Sequence, residues 1–376
     1  MRIGLNALFL IPGKVGGTES YVRKLLPALA AAASGDELVL YVADEAAGTF
    51  ALPPNVREVR CDFRAERRQV RIAYEQARLP ARAKRDGIDV LHSLGYTAPL
   101  VAGRPSVVTL HDLNYHFHPE DWSTAALWAN RLLIPQVARR VTRVLTISES
   151  SRTAIRDVLG IPGDRIDVVY NGAADNIADA SDAAVADARR MFELPGDYVL
   201  TVTATHPHKN LDGLLAAYER LCADWDAPPP LVVVGIRGRD HARIEQAATR
   251  APRGRIVVTG WVDAGVLAAL YRGARAFVFA SKYEGFGFPV LEAMSVGVPV
   301  ASSNAASLPE LVGDAAVTFD PADPAQIADA TRRVFEDESL RRSLIPRGRE
   351  RASQFTWARC AAETLAVYRR ALTPRG

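Results

Sequence analysis

The chain has 376 residues, 48% of them apolar and 24% charged, a composition that excludes collagen-like, disordered and disulfide-scaffold proteins. A single hydrophobic core stops growing at roughly 250–300 residues, so the length favours two domains. The charge balance of 46 − 43 = +3 is too small to point to nucleic acid, and Cys61, Cys222 and Cys360 form neither a metal-ligand spacing nor a disulfide framework, which fits a reducing cytoplasm.

The chain opens MRIGLNALFLIPG, basic and then apolar, but the apolar run is short and GKVGGTES stands where a cleavage site belongs. No apolar run approaches the ~20 residues of a membrane span. Short β-branched runs then alternate with amphipathic stretches. Strands are expected at Ile3–Leu10, Leu38–Val42, Val56–Cys61, Ile88–His92, Ser106–Leu110, Arg143–Ile147 and Ile166–Tyr170, with helices such as Ser20–Ala32 and Glu66–Arg78 between them. The Ala- and Asp-rich stretch Ala173–Arg190 has no strand-like run and reads as a linker with a weak helix. A second series follows at Tyr198–Thr203, Leu231–Gly235, Arg255–Thr259, Ala276–Ala280, Val298–Ser302 and Ala316–Phe319, with helices at Asn210–Cys222 and Ala264–Arg272. Thr356–Leu372 reads as one helix, too little for a domain. Apolar strands without alternation, each followed by a helix, predict an α/β chain of two doubly wound parallel sheets, whose ligands lie beyond the carboxyl ends of the strands.

The densest chemical pattern is SKYEGFGFPVLEAMSVGVPVAS, Ser281–Ser302. A buried strand runs into a loop with Gly285 and Gly287, and Pro289 suits the first turn of a helix. Two glycines let backbone approach a ligand, and the N–H groups of a helix start attract an anion, so this is a phosphate seat. A carboxylate aimed at phosphate would repel it, so Glu284 and Glu292, eight residues apart, suit sugar and ribose hydroxyls instead. The competing reading makes Glu292 a partner of the helix dipole and the glycines a turn. Gly16 and Gly17 follow the first strand and offer a second backbone cradle, although most Gly-Gly pairs are turns and the order is not that of a Walker loop. His111-Asp112 stands at the carboxyl end of a strand, facing a cleft or serving as a packed His beside a capping Asp. His116 and His118 suggest a metal with His111, but their spacing matches no zinc motif and no metal is expected. Lys209 in His206-Pro207-His208-Lys209-Asn210, and Arg237 after the next strand, are the cations available to a diphosphate; in a loop, either also reads as merely solvated. Asp224-Trp225-Asp226 precedes a strand rather than following one, so it reads as a connector and not a Mg²⁺ site. Arg64–Arg85 holds eight basic and two acidic residues. It is either a solvated helical face or, through Arg64, Arg67, Arg68 and Arg71, a peripheral contact with anionic lipid on the inner face of a membrane.

With these residues assembled, the chain resembles the family 4 retaining glycosyltransferases, which are nucleotide-sugar-dependent and have the GT-B fold. The resemblance runs through GGTESYVRKLLPAL, DVLHS, TLHDL, VLTISESSR, IDVVYNG and HPHKNLDGLLAAY. It is most specific in GWVDAGVLAALYRGARAFVFASKYEGFGFPVLEAMSVGVPV and ends in FTWARCAAETLAVYRRAL. It implies two Rossmann-like domains facing a central cleft: an acceptor-binding domain over 1–175, a nucleotide-sugar-binding domain over 176–355, and a helix over 356–376 that crosses back to the first. By position, Glu284 would contact the donor sugar and Glu292 hold the ribose. Backbone amides around Gly285, Phe286 and Gly287 would face sugar and diphosphate, and Lys209 would stabilise the departing diphosphate. His111 would lie beside the reacting sugar, Gly17 near the phosphates, and the backbone around Trp261 at the base. No metal or other cofactor is implied. Many relatives carry Arg immediately before the Lys where this chain has His208, and a neutral imidazole stabilises a diphosphate less than a guanidinium does.

The implied reaction is retaining transfer of a hexose, GDP-mannose being the favoured donor, to a saccharide or lipid-linked glycan. UDP-glucose, UDP-N-acetylglucosamine and dTDP-rhamnose are the other donors considered. The competing functions are a nucleotide-sugar epimerase or hydrolase on a related fold and a non-catalytic nucleotide-sugar-binding protein.

Overall fold

In a computed structural model of the chain, described over residues 1–173, 177, 180–204, 206–235 and 254–373, all strand pairings are parallel. The chain divides into two units. The first holds Met1–Phe117, Trp122–Gly172 and the terminal stretch from Thr356, and the second holds His118–Asp121 and Ala173–Phe355.

Seven strands form the sheet of the first unit: β1 (Arg2–Asn6), β2 (Glu37–Val42), β3 (Val56–Arg60), β4 (Val90–Ser93), β5 (Ser106–Thr109), β6 (Arg143–Thr146) and β7 (Ile166–Val168). Their order is β3-β2-β1-β4-β5-β6-β7. The second unit repeats the plan with β8 (Val199–Val202), β9 (Leu231–Val234), β10 (Ile256–Gly260), β11 (Ala276–Phe279), β12 (Val300–Ser303) and β13 (Val317–Phe319), ordered β10-β9-β8-β11-β12-β13. Every residue of β4, β5, β9, β11 and β12 is buried, as strands covered by helices on both faces must be. In each sheet the order reverses once, between β1 and β4 and between β8 and β11. The connections diverge there and leave a crevice at the carboxyl ends of those two strands.

The expected first strand was too long. It stops at Asn6, whose side-chain Oδ1 accepts the Leu8 N–H while Ala7 O accepts the Leu10 N–H, so the apolar run Ala7–Leu10 turns instead of extending. The Ala- and Asp-rich linker contains a full helix, Asp182–Met191, capped by the Ser181 side chain.

The last helix, Trp357–Leu372, shows why sixteen residues without a domain of their own fold. Thr356 caps its first turn, and Trp357, Cys360, Ala361, Thr364, Leu365, Tyr368 and Ala371 make one buried stripe at helical spacing. That stripe packs on the helix Gly17–Ala32 and on β4, β5 and β6, all within the first unit. Buried His92 of β4 ties the helix down. One ring nitrogen is 2.6 Å from the Tyr368 hydroxyl and the other 2.7 Å from Thr109 Oγ1. Burial, with nearby His111 as a smaller cause, pushes the His92 pKa down to about 3.

An imidazole whose folded-state pKa lies below its unfolded value of 6.5 stabilises the fold fully above that value, and the contribution falls away as pH drops towards 3. His92→Gln should therefore be less stable than the parent protein at pH 7. The gap should narrow by about 1.4 kcal/mol per pH unit between pH 6 and pH 4. Urea melts of both proteins across that range measure it, and a gap independent of pH would show that His92 does not carry this linkage.

Candidate functional site

The crevice of the second unit is built by the loops that follow β8 and β11, and the two are locked together. After β8 the chain makes a single turn, Pro207–Lys209, and then starts the helix Leu211–Asp224 at Asn210, which adopts a left-handed conformation with φ 56°. Asn210 is buried, and its amide donates to Ala280 O at 3.0 Å and Pro321 O at 2.7 Å. The Lys282 N–H donates to His208 O at 2.8 Å. These bonds fix the turn against the end of β11 and hold Lys209 beside the next loop. Lys209 Nζ donates to both carboxylate oxygens of Glu284, at 2.7 and 2.9 Å. The two side chains are only 20% and 12% exposed, so the pair is largely shielded from solvent.

The loop carrying Glu284 is itself held from behind. Buried Ser307 donates its hydroxyl to the carbonyls of Glu284 and Phe286. That leaves the Gly285–Gly287 stretch running into the helix Phe288–Ser295 with Pro289 in its first turn and no side-chain cap. Gly287 has φ 146°, and a β-carbon there would stand 2.8 Å from Leu308 Cδ2. Glu292 lies in the second turn of that helix and accepts a 2.7 Å hydrogen bond from the Tyr271 hydroxyl. Burial, and next the Glu292 charge, push the Tyr271 phenol well above its ordinary pKa, so it remains a donor.

His208 is committed elsewhere. Its Nδ1 pairs with Asp121, in the segment His118–Asp121 that belongs to this unit. Burial first, and then the Lys209 charge, lower its pKa. The turn therefore presents one cation, Lys209, and an imidazole engaged by a carboxylate. Arg237 lies outside the described residues. Trp261 follows β10 with its side chain 74% exposed. Trp225 closes the helix before β9, packs edge-on against Phe335 with centroids 5.4 Å apart, and lies under Arg332, which leaves Asp224-Trp225-Asp226 a packed connector.

The remaining expected residues belong to the first unit. His111 follows β5, buried, with Nε2 3.2 Å from Leu94 O and its ring edge-on to Tyr21 and Tyr96. Burial pushes its pKa down to about 4, so it is neutral at pH 7. Asp112 accepts from the Tyr96 hydroxyl and the Asn114 N–H, both at 2.9 Å, and so serves the local turn. Gly16, with φ 55°, is the N-cap of the helix Gly17–Ala32 and supplies no capping side chain. Glu19 accepts the Gly13 N–H and the Arg23 guanidinium, which shapes the loop before that helix. Among the described residues no three His, Cys, Asp or Glu side chains converge into a metal-sized group.

The basic stretch, expected as a solvated helical face or a membrane contact, is not one exposed face. Arg64 pairs with Glu66, and Arg67 is exposed. Arg68 and Arg71 are instead partly buried and line a cavity of the first unit, because helical spacing turns them towards the sheet side of Arg68–Ala77. Among the described residues no helix is long and apolar enough to cross a membrane.

Residues 15–175 match the profile of Glycosyltransferase Family 4, and residues 188–351 that of Glycosyl transferases group 1. The chain is 34% identical over 266 residues to the O-antigen chain mannosyltransferase B of Escherichia coli, covering 70% of both chains. The chain belongs to glycosyltransferase family 4. This family 4 glycosyltransferase is also 28% identical to the MMP alpha-(1->4)-mannosyltransferase of Mycolicibacterium hassiacum, over 77% of its own length and 72% of that protein's. Its fold is GT-B. It superposes on sucrose-phosphate synthase of Thermosynechococcus elongatus with a TM-score of 0.78 over 98% of both chains, at 22% identity. Membership makes it a retaining hexosyltransferase.

No local pattern marks Ser307, Tyr271 and Asn210 as supports of the candidate site. Tyr271 lies on the apolar stripe of Ala264–Gly273 and reads as core, while Ser307 is 23 residues beyond the carbonyl it holds. The conformation and crowding at Gly287 make Gly287→Ala costly: about 2 kcal/mol or more of stability should be lost. Chemical denaturation of the variant checks this, and parental stability would show that the loop relaxes freely.

Proposed function

We propose that the second unit binds a nucleotide-hexose donor, GDP-mannose by preference, and that the first unit binds a saccharide or lipid-linked glycan acceptor. The observation that carries this reading is the Lys209–Glu284 pair across the β8/β11 crevice. With no donor bound the two neutralise one another. An arriving diphosphate competes for the Lys209 ammonium, and the released carboxylate of Glu284 then accepts hydrogen bonds from sugar hydroxyls. One pair thus provides both the cation and the hydroxyl acceptor that the two ends of a sugar diphosphate require. Glu292, oriented by Tyr271, is assigned to the ribose, and the N–H groups at the start of Phe288–Ser295 to the phosphates. The mannose preference is supported by the names of the two relatives above, both mannosyltransferases.

In the transfer, an acceptor hydroxyl oxygen bonds to the anomeric carbon on the face from which the diphosphate departs. The anomeric C–O bond breaks, its electron pair leaves on the diphosphate, and the hydroxyl proton goes with the departing oxygen. Lys209 and the helix N–H groups offset the charge that develops there. Neutral His111 is assigned to the reacting sugar as a hydrogen-bonding group, and the backbone after β10, at Trp261, to the base. No metal is required by this scheme.

Glu284→Ala should lose transfer at least 100-fold while melting cooperatively, and Lys209→Ala should lose it comparably. Their double variant should be little worse than either alone, because the two residues act as one unit. Radiolabelled GDP-mannose and UDP-glucose with acceptor mixtures measure it, and full activity in Glu284→Ala would remove the carboxylate's role. The same donors incubated without acceptor separate the alternatives: rapid diphosphate release there would indicate a hydrolase, and sugar isomerisation an epimerase.

Peripheral membrane contact, the route to a lipid-linked acceptor, is assigned to a different surface from the arginine stretch. Trp128 and Leu132 stand one turn apart on the helix Thr124–Arg140 and are 66% and 73% exposed. An exposed Trp with a second apolar side chain suits the interface of a bilayer. Trp128→Ser with Leu132→Ser should reduce co-flotation with anionic phospholipid vesicles severalfold, and undiminished flotation would exclude this surface.

A further inference from the structure

The first unit has its own crevice, where the sheet order reverses between β1 and β4, and it opens into a cavity of about 450 Å³. That volume lies within the roughly 300–1,000 Å³ of small-molecule sites. Phe9 and Ile11 enter from the loop after β1, and Gly95, Tyr96 and Thr97 from the loop after β4, so the cavity lies at the carboxyl ends of the strands.

Its wall is unusual in charge. Arg68 and Arg71 come from one face of the helix Arg68–Ala77. Arg68 Nη2 donates to Asn130 Oδ1 at 2.7 Å, but the Nε atoms of both arginines are shielded from solvent and have no hydrogen-bond partner among the described residues. The nearest carboxylates do not offset both charges. Glu66 is taken by Lys14 at 2.6 Å and Arg64 at 3.0 Å. Glu75, one turn beyond Arg71, is buried and accepts from Asn6; burial raises its pKa, and the Arg71 charge lowers it. Burial likewise lowers the pKa of Arg71, with the Glu75 charge acting the other way. Desolvated guanidinium groups without full pairing are costly to maintain, and their planar forks match the oxygens of a phosphate.

The lining also includes two aromatic rings, Tyr96 and Trp122. Trp122 Nε1 donates to Asn114 Oδ1 at 2.7 Å and the Tyr96 hydroxyl to Asp112, so the polar ends of both rings are engaged. What remains are apolar ring surfaces, suited to the C–H face of a pyranose.

We propose that this cavity is an acceptor subsite for a saccharide bearing a phosphate ester, with Arg68 and Arg71 binding the phosphate and Tyr96 and Trp122 flanking the sugar. The assignment rests on the transferase reading above and adds to it the charge of the acceptor. The phosphate belongs either to a free sugar phosphate or to the diphosphate of a lipid-linked glycan.

Calorimetric titration of the full chain with mannose 6-phosphate, mannose 1-phosphate, mannose and inorganic phosphate tests the subsite. At least one sugar phosphate should bind tenfold or more tighter than both mannose and inorganic phosphate. Arg71→Met should abolish that difference, while Arg71→Lys should retain part of it. The lipid-linked source is tested in transfer assays with a short isoprenyl diphosphate-linked saccharide. Arg71→Met should raise the acceptor KM at least tenfold and leave the donor KM within twofold. Activity on neutral and phosphorylated acceptors alike, together with an Arg71→Met variant unchanged in both assays, would overturn the proposal. GDP-mannose and UDP-glucose binding, followed by thermal shift on the same samples, separates the two levels. Absent donor binding would overturn the transferase reading, whereas donor binding with an acceptor cavity indifferent to phosphate would overturn only this inference.

Discussion

Two sheets whose strand order reverses once dictate where chemistry can occur in this protein. A parallel sheet covered by helices leaves no free face, so ligand atoms meet the protein only at strand ends. At the reversal the loops diverge and backbone no longer fills the space above the sheet. In the second unit the loops after β8 and β11 place Lys209 against Glu284, and in the first the loops after β1 and β4 open the arginine-lined cavity. The same topological rule thus leaves a crevice in each of the two units.

The site in the second unit depends on restraint from behind. Asn210 fastens the lysine turn to the end of β11 and to Pro321, and Ser307 holds the carbonyls of the glutamate loop. Neither residue bears charge, and neither is assigned to substrate. Each fixes backbone, which holds Lys209 and Glu284 beside one another. Without such restraint the loop rich in glycine would sample many conformations, and the entropy of ordering it would weigh against donor binding.

The histidines illustrate how burial decides chemical state. His92 and His111 are both buried in the first unit, with pKa values pushed down to about 3 and about 4, yet they serve different ends. His92 has both nitrogens engaged by hydroxyls and joins β4 to the terminal helix. His111 stands past the end of β5 with one nitrogen on a backbone carbonyl and aromatic rings on two sides. His208 shows the complementary case, an imidazole engaged by Asp121 that leaves the positive charge of that turn to Lys209.

The sequence alone determined the α/β class, the parallel character of both sheets, and most strands to within a residue or two, because continuous apolar runs of strand length have few other ways to be buried. It also marked the loop from Ser281 and the turn at Lys209 as candidate sites, since glycine, proline and charge patterns are local. It overextended the first strand, because an Asn side chain capping its own backbone outweighed apolar periodicity at Ala7–Leu10. Only the tertiary structure decided that Lys209 and Glu284, 75 residues apart, neutralise one another, and that Ser307 and Asn210 hold the loops. It alone divided the basic stretch, sending Arg64 and Arg67 to the surface and Arg68 and Arg71 into a cavity. The physical reason is common to all three. A residue's charge is written in the sequence, but its partner and its solvent are set by which distant segments the fold brings beside it.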